Sequence, residues 1–165
     1  MRRLMSSIGL FAAGMAAGIV MMQPGAAQNG REPGMRLNHV GVYAKDFDES
    51  LRFYTQTMGF HQAFSIPGKD GKTALTYLQI NKDTFLELAP TPAGRQPGLS
   101  HVGIWPDNLD ATVAALRGHG EKVADARAGS TKSRITNVMD PNGVRLELVD
   151  FPPGSLPRNA IDNWK

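Results

Sequence analysis

Cysteine is absent from the 165 residues. The chain therefore has no disulfide framework, no thiolate metal site and no cysteine nucleophile. Nor does it hold a polybasic run interleaved with aromatics, so nucleic acid is not an expected partner. Histidine is scarce, with four copies: His39, His61, His101 and His119. What remains, 41% hydrophobic and 20% charged residues, suits one globular domain with a sizeable core.

The net charge of +3 belongs partly to the first residues. Arg2 and Arg3 precede an uncharged, mostly apolar run from Leu4 to Met22, broken by Pro24 and Gly25. Gly25-Ala26-Ala27 puts small residues at the −3 and −1 positions of a cut after Ala27. Residues 1–27 read as a secretory signal peptide, against an uncleaved membrane anchor or a twin-arginine signal. Cleavage leaves 165 − 27 = 138 residues with 16 basic and 15 acidic side chains, a charge of +1. The expected product is exported, periplasmic or secreted, with no membrane contact once the leader is gone. Residues 28–35 read as a linker, and 152–165 as a Pro-rich tail, either disordered or bracing a possible homodimer.

Between them the chain repeats itself. "LNHVGVYA" from Leu37 and "LSHVGIW" from Leu99 place His39 and His101 at matching positions, 62 residues apart. Each stretch reads as a strand. In the first copy Phe47, Leu51, Tyr54 and Met58 follow at helical spacing, with Asp46 and Glu49 as a capping box and Gly59 as a left-handed stop. Strand-like runs then cover Phe60–Ile66, Thr73–Ile80 and Thr84–Ala89. In the second copy a helix begins after Asp107, its expected cap, with Leu109, Val113 and Leu116 on one face. Strands are expected at Lys122–Ala128, Lys132–Met139 and Val144–Phe151, with "DPNG" a hairpin turn before the last. The two copies also share Leu-Glu-Leu around Glu87 and Glu147. The expected fold is α+β: paired βαβββ modules at 36–90 and 98–151, forming a curved mixed sheet with a concave cleft for metal and substrate.

Alternate side chains on a strand face opposite ways. His39, His101, Glu87 and Glu147 therefore share one face. The flanking Val40, Val42, Leu86, Leu88, Val102, Ile104, Leu146 and Leu148 share the other and should pack under the helices. A single histidine or glutamate on a strand is ordinarily structural. Recurrence of both at matching positions in two copies points instead to a divalent metal site. His61 and His119 have no such counterpart and read as structural, His119 in the last turn of a helix.

With "LNHVGVYAKDFDESLRFYTQTMGF", "FLEL", "SHVGI" and "DPNGVRLELVD", residues 36–151 resemble the vicinal oxygen chelate superfamily. This group includes glyoxalase I, methylmalonyl-CoA epimerase, extradiol dioxygenases and bleomycin or fosfomycin resistance proteins. The resemblance implies metal ligands on the first and fourth strands of each module: His39, Glu87, His101 and Glu147. All four positions hold ligand-competent residues, as in glyoxalase I, whereas the epimerase has glutamine at the position of Glu87. The full quartet leans towards the isomerase or lyase branch. However, the arginine and asparagine that serve glutathione in glyoxalase I are Tyr43 and Thr91 here, which argues against a glutathione-dependent substrate.

A site of two imidazoles and two carboxylates accepts Zn, Ni, Co, Mn or Fe. A substrate with adjacent oxygens can chelate such an ion, and Glu147 or Glu87 can act as general base. Tyr43, Trp105 and Phe85 are expected to line the pocket, and Arg145 to meet a substrate carboxylate or form a salt bridge. Two alternatives stay open: an Fe(II) dioxygenase using His39, His101 and Glu147, and a non-catalytic protein that binds a small molecule in the same cleft.

Overall fold

The computed structural model describes residues 34–165. The expected leader, 1–27, and most of the linker lie outside the described residues. No helix among those described is long and apolar enough to cross a membrane.

The first module runs β1 (Met35–Ala44), α1 (Phe47–Arg52), β2 (His61–Pro67), β3 (Thr73–Asn81) and β4 (Thr84–Pro90). The second runs β5 (Gly98–Pro106), α2 (Leu109–Gly118), β6 (Arg127–Ala128), β7 (Arg134–Met139) and β8 (Arg145–Asp150). All eight strands join in one sheet, in the order β2-β3-β4-β1-β5-β8-β7-β6. Within each module the first and fourth strands run parallel, and β1 meets β5 antiparallel at the junction. The expected pair of βαβββ modules is therefore present, related about that junction.

Strand parity holds on the helical side. Leu86, Leu88 and Val42 pack with Phe47, Leu51 and Tyr54 beneath α1. Ile104 and Leu148 pack with Leu109, Val113 and Leu116 beneath α2. Burial of these aliphatic stripes is the main attachment of each helix to the sheet.

The departures have local causes. After Arg52 the first helix continues as a π-turn, Phe53–Thr57, in which the Met58 amide donates to the Phe53 carbonyl at 3.0 Å. The wider turn shifts the helical phase, so Met58, expected on the core face, is 51% exposed. The N-cap of α2 is Asn108, not Asp107: its Oδ1 accepts from the Ala111 amide at 3.0 Å. Asp107 instead accepts from the Gly34 amide at 3.0 Å and faces Arg36 at 3.6 Å. The strand expected over Lys122–Ala128 shrinks to Arg127–Ala128. Side chains have taken its backbone acceptors: Arg117 donates twice to the Val123 carbonyl, and Thr136 donates to that of Ala124.

The tail beyond Phe151 is ordered. It forms α3 (Leu156–Asp162), whose Ile161 is buried against Tyr77, Phe85, Val149 and Phe151 on the side of the sheet away from α1 and α2. The sequence pattern left this segment between disorder and a brace; it is a cover for one end of the concave face.

Candidate metal centre

The four central strands, β4, β1, β5 and β8, contribute Glu87, His39, His101 and Glu147 respectively. One ligand atom from each lies within 4.8 Å of all the others. The two Nε2 atoms are 2.9 Å apart. Glu87 Oε2 is 3.7 Å from His39 Nε2 and 3.8 Å from His101 Nε2, and Glu147 Oε1 is 3.6 Å from His39 Nε2. Metal–donor bonds of about 2.1 Å place cis donors about 3.0 Å and trans donors about 4.2 Å apart. The quartet therefore fits one ion, and its two carboxylates balance a 2+ charge. Both histidines are almost fully buried, where an unmatched polar ring is costly. All four donors come from a single chain.

Why the histidines can converge follows from register. Across the antiparallel β1–β5 pair, His39 faces Gly103 and Gly41 faces His101. A Cβ on Gly103 would overlap the His39 ring, and one on Gly41 would overlap the His101 ring. Each ring thus occupies the space that a side chain on the opposite strand would fill. The repeated His-Val-Gly is a matched set: one copy supplies a ring and also the vacancy for the other copy's ring.

Hydrogen bonds aim the rings. Asn38 donates from Nδ2 to the Asp83 carbonyl at 2.7 Å, which leaves its Oδ1 to accept from His39 Nδ1 at 2.9 Å. His39 then presents the Nε2 lone pair. At His101, Arg145 Nη2 lies 2.8 Å from Nδ1, and Ser100 Oγ lies 2.8 Å from the same atom. The guanidinium only donates, so Nδ1 accepts and His101 carries its proton on Nε2, which donates to His39. Metal binding at His101 Nε2 requires the proton to sit on Nδ1, where Ser100 Oγ can accept it.

The carboxylates differ. Tyr77 donates to Glu87 Oε2 at 2.7 Å. Burial pushes the Glu87 carboxyl up, against opposing pulls from His39 and Tyr77, and burial pushes the Tyr77 phenol well up. Burial would raise Glu147 too, but His39, His101 and Arg145 outweigh it and hold the carboxyl down. Glu147 Oε2 faces Arg145 Nη1 at 3.8 Å, while its Oε1 faces His39.

Burial, then the neighbouring His39, lowers His101 to about 4 from an ordinary 6.5. Between those values the unfolded chain binds the extra proton and the folded one does not. Stability from this group is therefore complete above pH 6.5 and is lost as pH falls through 4, by at most about 3 kcal/mol. Glu87, with its raised carboxyl, acts in the opposite sense. In chelator-treated protein, urea melts at pH 7 and pH 4.5 should show this acid loss, and His101→Gln should reduce it. An equal acid loss in both proteins would exclude His101 as the source.

Of the side chains expected around the substrate, Tyr43 and Arg145 line a cavity of about 440 Å³ that reaches His101. Phe85 does not: it is 0% exposed and packs against Tyr77 beneath α3. Trp105 lies at the covered end too, tilted against Phe151 with Arg36 over its ring. Parity put both on the correct face, but α3 fills that end of it. A larger cavity of about 670 Å³ lies between β2, β3 and α3, and none of the quartet lines it. His61 borders it, and His119 caps α2. Gly41, Gly103, Asn38, Ser100 and Tyr77 were not singled out from sequence. The glycine two places after each histidine, and the polar residue before it, recur in both copies and were the available signal.

Fold and site together define a class of paired βαβββ proteins with a His/Glu cluster at the module junction that could hold a metal ion. The family model for the glyoxalase/bleomycin resistance protein/dioxygenase superfamily matches residues 36–148, and the chain belongs to that family. It is 29% identical to the uncharacterized protein YaeR of Escherichia coli over 123 residues, covering 70% of this chain and 95% of that one. It is 27% identical to a probable lactoylglutathione lyase of Vibrio parahaemolyticus, covering 69% and 89%. A methylmalonyl-CoA epimerase of Streptomyces coelicolor, solved with 2-nitronate-propionyl-CoA, is 28% identical with a TM-score of 0.62, covering 73% and 96%.

Proposed function

We propose that this protein is an exported, glyoxalase-like metalloenzyme, a lyase or isomerase acting on a small substrate with adjacent oxygens, independent of glutathione. The observation that carries this reading is the convergence of His39, Glu87, His101 and Glu147 within 4.8 Å beside an open cavity. Independence of glutathione rests on Tyr43 and Thr91. The Thr91 hydroxyl donates to the Ala44 carbonyl at 2.8 Å.

A divalent ion held by the quartet would polarise a substrate carbonyl and stabilise an enediolate. The protein's own residues divide the remaining work. Tyr77 holds the Glu87 oxygen that faces both histidines, which suits Glu87 to a fixed ligand. Glu147 has one oxygen towards the donors and the other towards Arg145 at the cavity. We assign it as the general base that takes the proton from the carbon next to the carbonyl. Asn38 and Ser100 keep the rings in register with the ion.

The test is metal-dependent exchange of carbon-bound hydrogen. Metal-free protein is reloaded with Zn, Ni, Co, Mn or Fe(II) and given dihydroxyacetone in heavy water, with NMR reading deuterium uptake. Exchange should need the metal, and Glu147→Gln should lower it about 100-fold or more while keeping most of the metal. Glu87→Gln should lower metal affinity more than Glu147→Gln does. Oxygen consumption with Fe(II) and no exchange would replace this reading with the dioxygenase one. Export is checked by N-terminal sequencing of protein from the native envelope fraction, with a start near Gln28 expected.

A further inference from the structure

Charge is unevenly distributed around the open cavity. Its lining includes Tyr43, Arg95, Leu99, His101, Met139 and Arg145, and no carboxylate among the described residues. Four arginines elsewhere face acids: Arg36 faces Asp107, Arg117 Asp125, Arg134 Asp150 and Arg158 Asp162. Arg95 makes no side-chain hydrogen bond or ion pair among the described residues, and it stands in the connection between the two modules. Arg145 Nη2 donates to His101 Nδ1 at 2.8 Å. Its Nη1 reaches Asn137 Oδ1 only at 3.5 Å and Glu147 Oε2 only at 3.8 Å.

A divalent ion on His101 Nε2 would change the hydrogen bonding of Arg145. A His101 that gives its Nε2 lone pair to a metal has its proton on Nδ1, and two donors would then face each other. Ser100 Oγ, already 2.8 Å from Nδ1, takes the proton as acceptor. Arg145 would lose its bond to His101, keeping only the long approaches to Asn137 and Glu147, beside a cavity where Arg95 already stands. Two guanidiniums at one half-enclosed space, Arg95 with no acid partner among the described residues and Arg145 with only a long 3.8 Å approach to Glu147, attract a planar or tetrahedral oxyanion, which they can grip through paired N–H donors.

We propose that Arg95 and Arg145 form an oxyanion subsite beside the metal centre, so that the substrate is a small acid. Its adjacent oxygens face the donor quartet, and a separate carboxylate or phosphate extends into the cavity. This rests on the metal reading above and narrows its substrate class. A cavity of about 440 Å³ takes a compact acid of this kind, with Leu99 and Met139 giving an apolar rim.

Three ligands sharing one hydroxyketone unit test it: dihydroxyacetone, hydroxypyruvate and dihydroxyacetone phosphate. The first is neutral, the second adds a carboxylate and the third a phosphate. Calorimetry on the metal-loaded full chain should show at least one acid binding tenfold or more tighter than the neutral ligand. Which acid gains identifies the anion. Inorganic phosphate should compete with the phosphate ester if that arm gains. Arg95→Gln and Arg145→Gln should each remove most of the advantage, and Arg95→Gln, which touches none of the quartet, should leave dihydroxyacetone binding within about twofold. Arg145→Lys should restore part of the advantage. NMR of the labelled His101 ring should show the proton on Nε2 in the metal-free protein and on Nδ1 when a diamagnetic metal such as Zn is bound. Equal affinity for all three ligands, or an advantage that survives both glutamine variants, overturns the subsite and leaves the metalloenzyme reading intact. A wild-type protein that binds no divalent metal overturns both, and metal titration, done first, distinguishes that case.

Discussion

Replacing His101 with alanine should lower affinity for a divalent ion more than 100-fold and remove most of the thermal stabilisation that the ion confers. His101 supplies one of four donors and is almost fully buried, so no surface residue can take its place. Loss of outer-sphere hydrogen bonds alone commonly costs 10- to 100-fold in metal affinity, and loss of a ligand should exceed that. An ion present at about 1,000 times its dissociation constant stabilises the folded chain by about 4 kcal/mol, roughly 10 °C or more for a domain of this size. The variant also leaves Arg145 without its ring partner, which lowers stability in the protein without metal. The informative quantity is therefore the difference between melts with and without metal in each protein. Wild type should gain strongly and His101→Ala hardly at all. An equal gain in both would mean that the ion binds elsewhere.

Gly103→Ala should be almost as severe, although it removes no donor. The added methyl would overlap the His39 ring, which is 0% exposed and held by Asn38 from the other side. Either the ring moves off the metal position or β1 and β5 separate, and overpacking of this kind costs about 1–3 kcal/mol. Metal affinity should fall at least tenfold, read by calorimetry, with a lower melting temperature in the metal-free protein. Gly41→Ala should do the same to His101. Gly118→Ala is the control, because a Cβ there meets nothing within 4 Å. In a helix it should be neutral or slightly stabilising. If Gly103→Ala binds metal as tightly as wild type, the vacancy is not what positions the ring.

Much of the site was legible in the sequence. The period of two along a strand assigns side chains to faces without any knowledge of the fold. That alone separates His39, Glu87, His101 and Glu147 from Leu86, Leu88, Ile104 and Leu148. The duplication then places both halves of the quartet at equivalent positions. The helices and hairpins were equally local: Asp46 caps α1 as expected, with its Oδ1 accepting from the Glu49 amide at 2.9 Å, and Gly59 adopts the left-handed turn.

Tertiary structure decided what depends on contacts between distant parts of the chain. Periodicity carries no information on which strand lies beside which, or in what register. Only the β1–β5 pairing set His39 against Gly103 and Gly41 against His101, and brought all four donors together in one chain. Only packing brought Tyr77 to Glu87 and Arg145 to His101. The tail shows the same limit. Its sequence is Pro-rich and short, yet Ile161 has a buried place against Phe85, so α3 closes the end of the face where Phe85 and Trp105 had been expected to meet substrate. Face assignment follows from local backbone geometry. Which part of that face stays open follows from what else is packed on it.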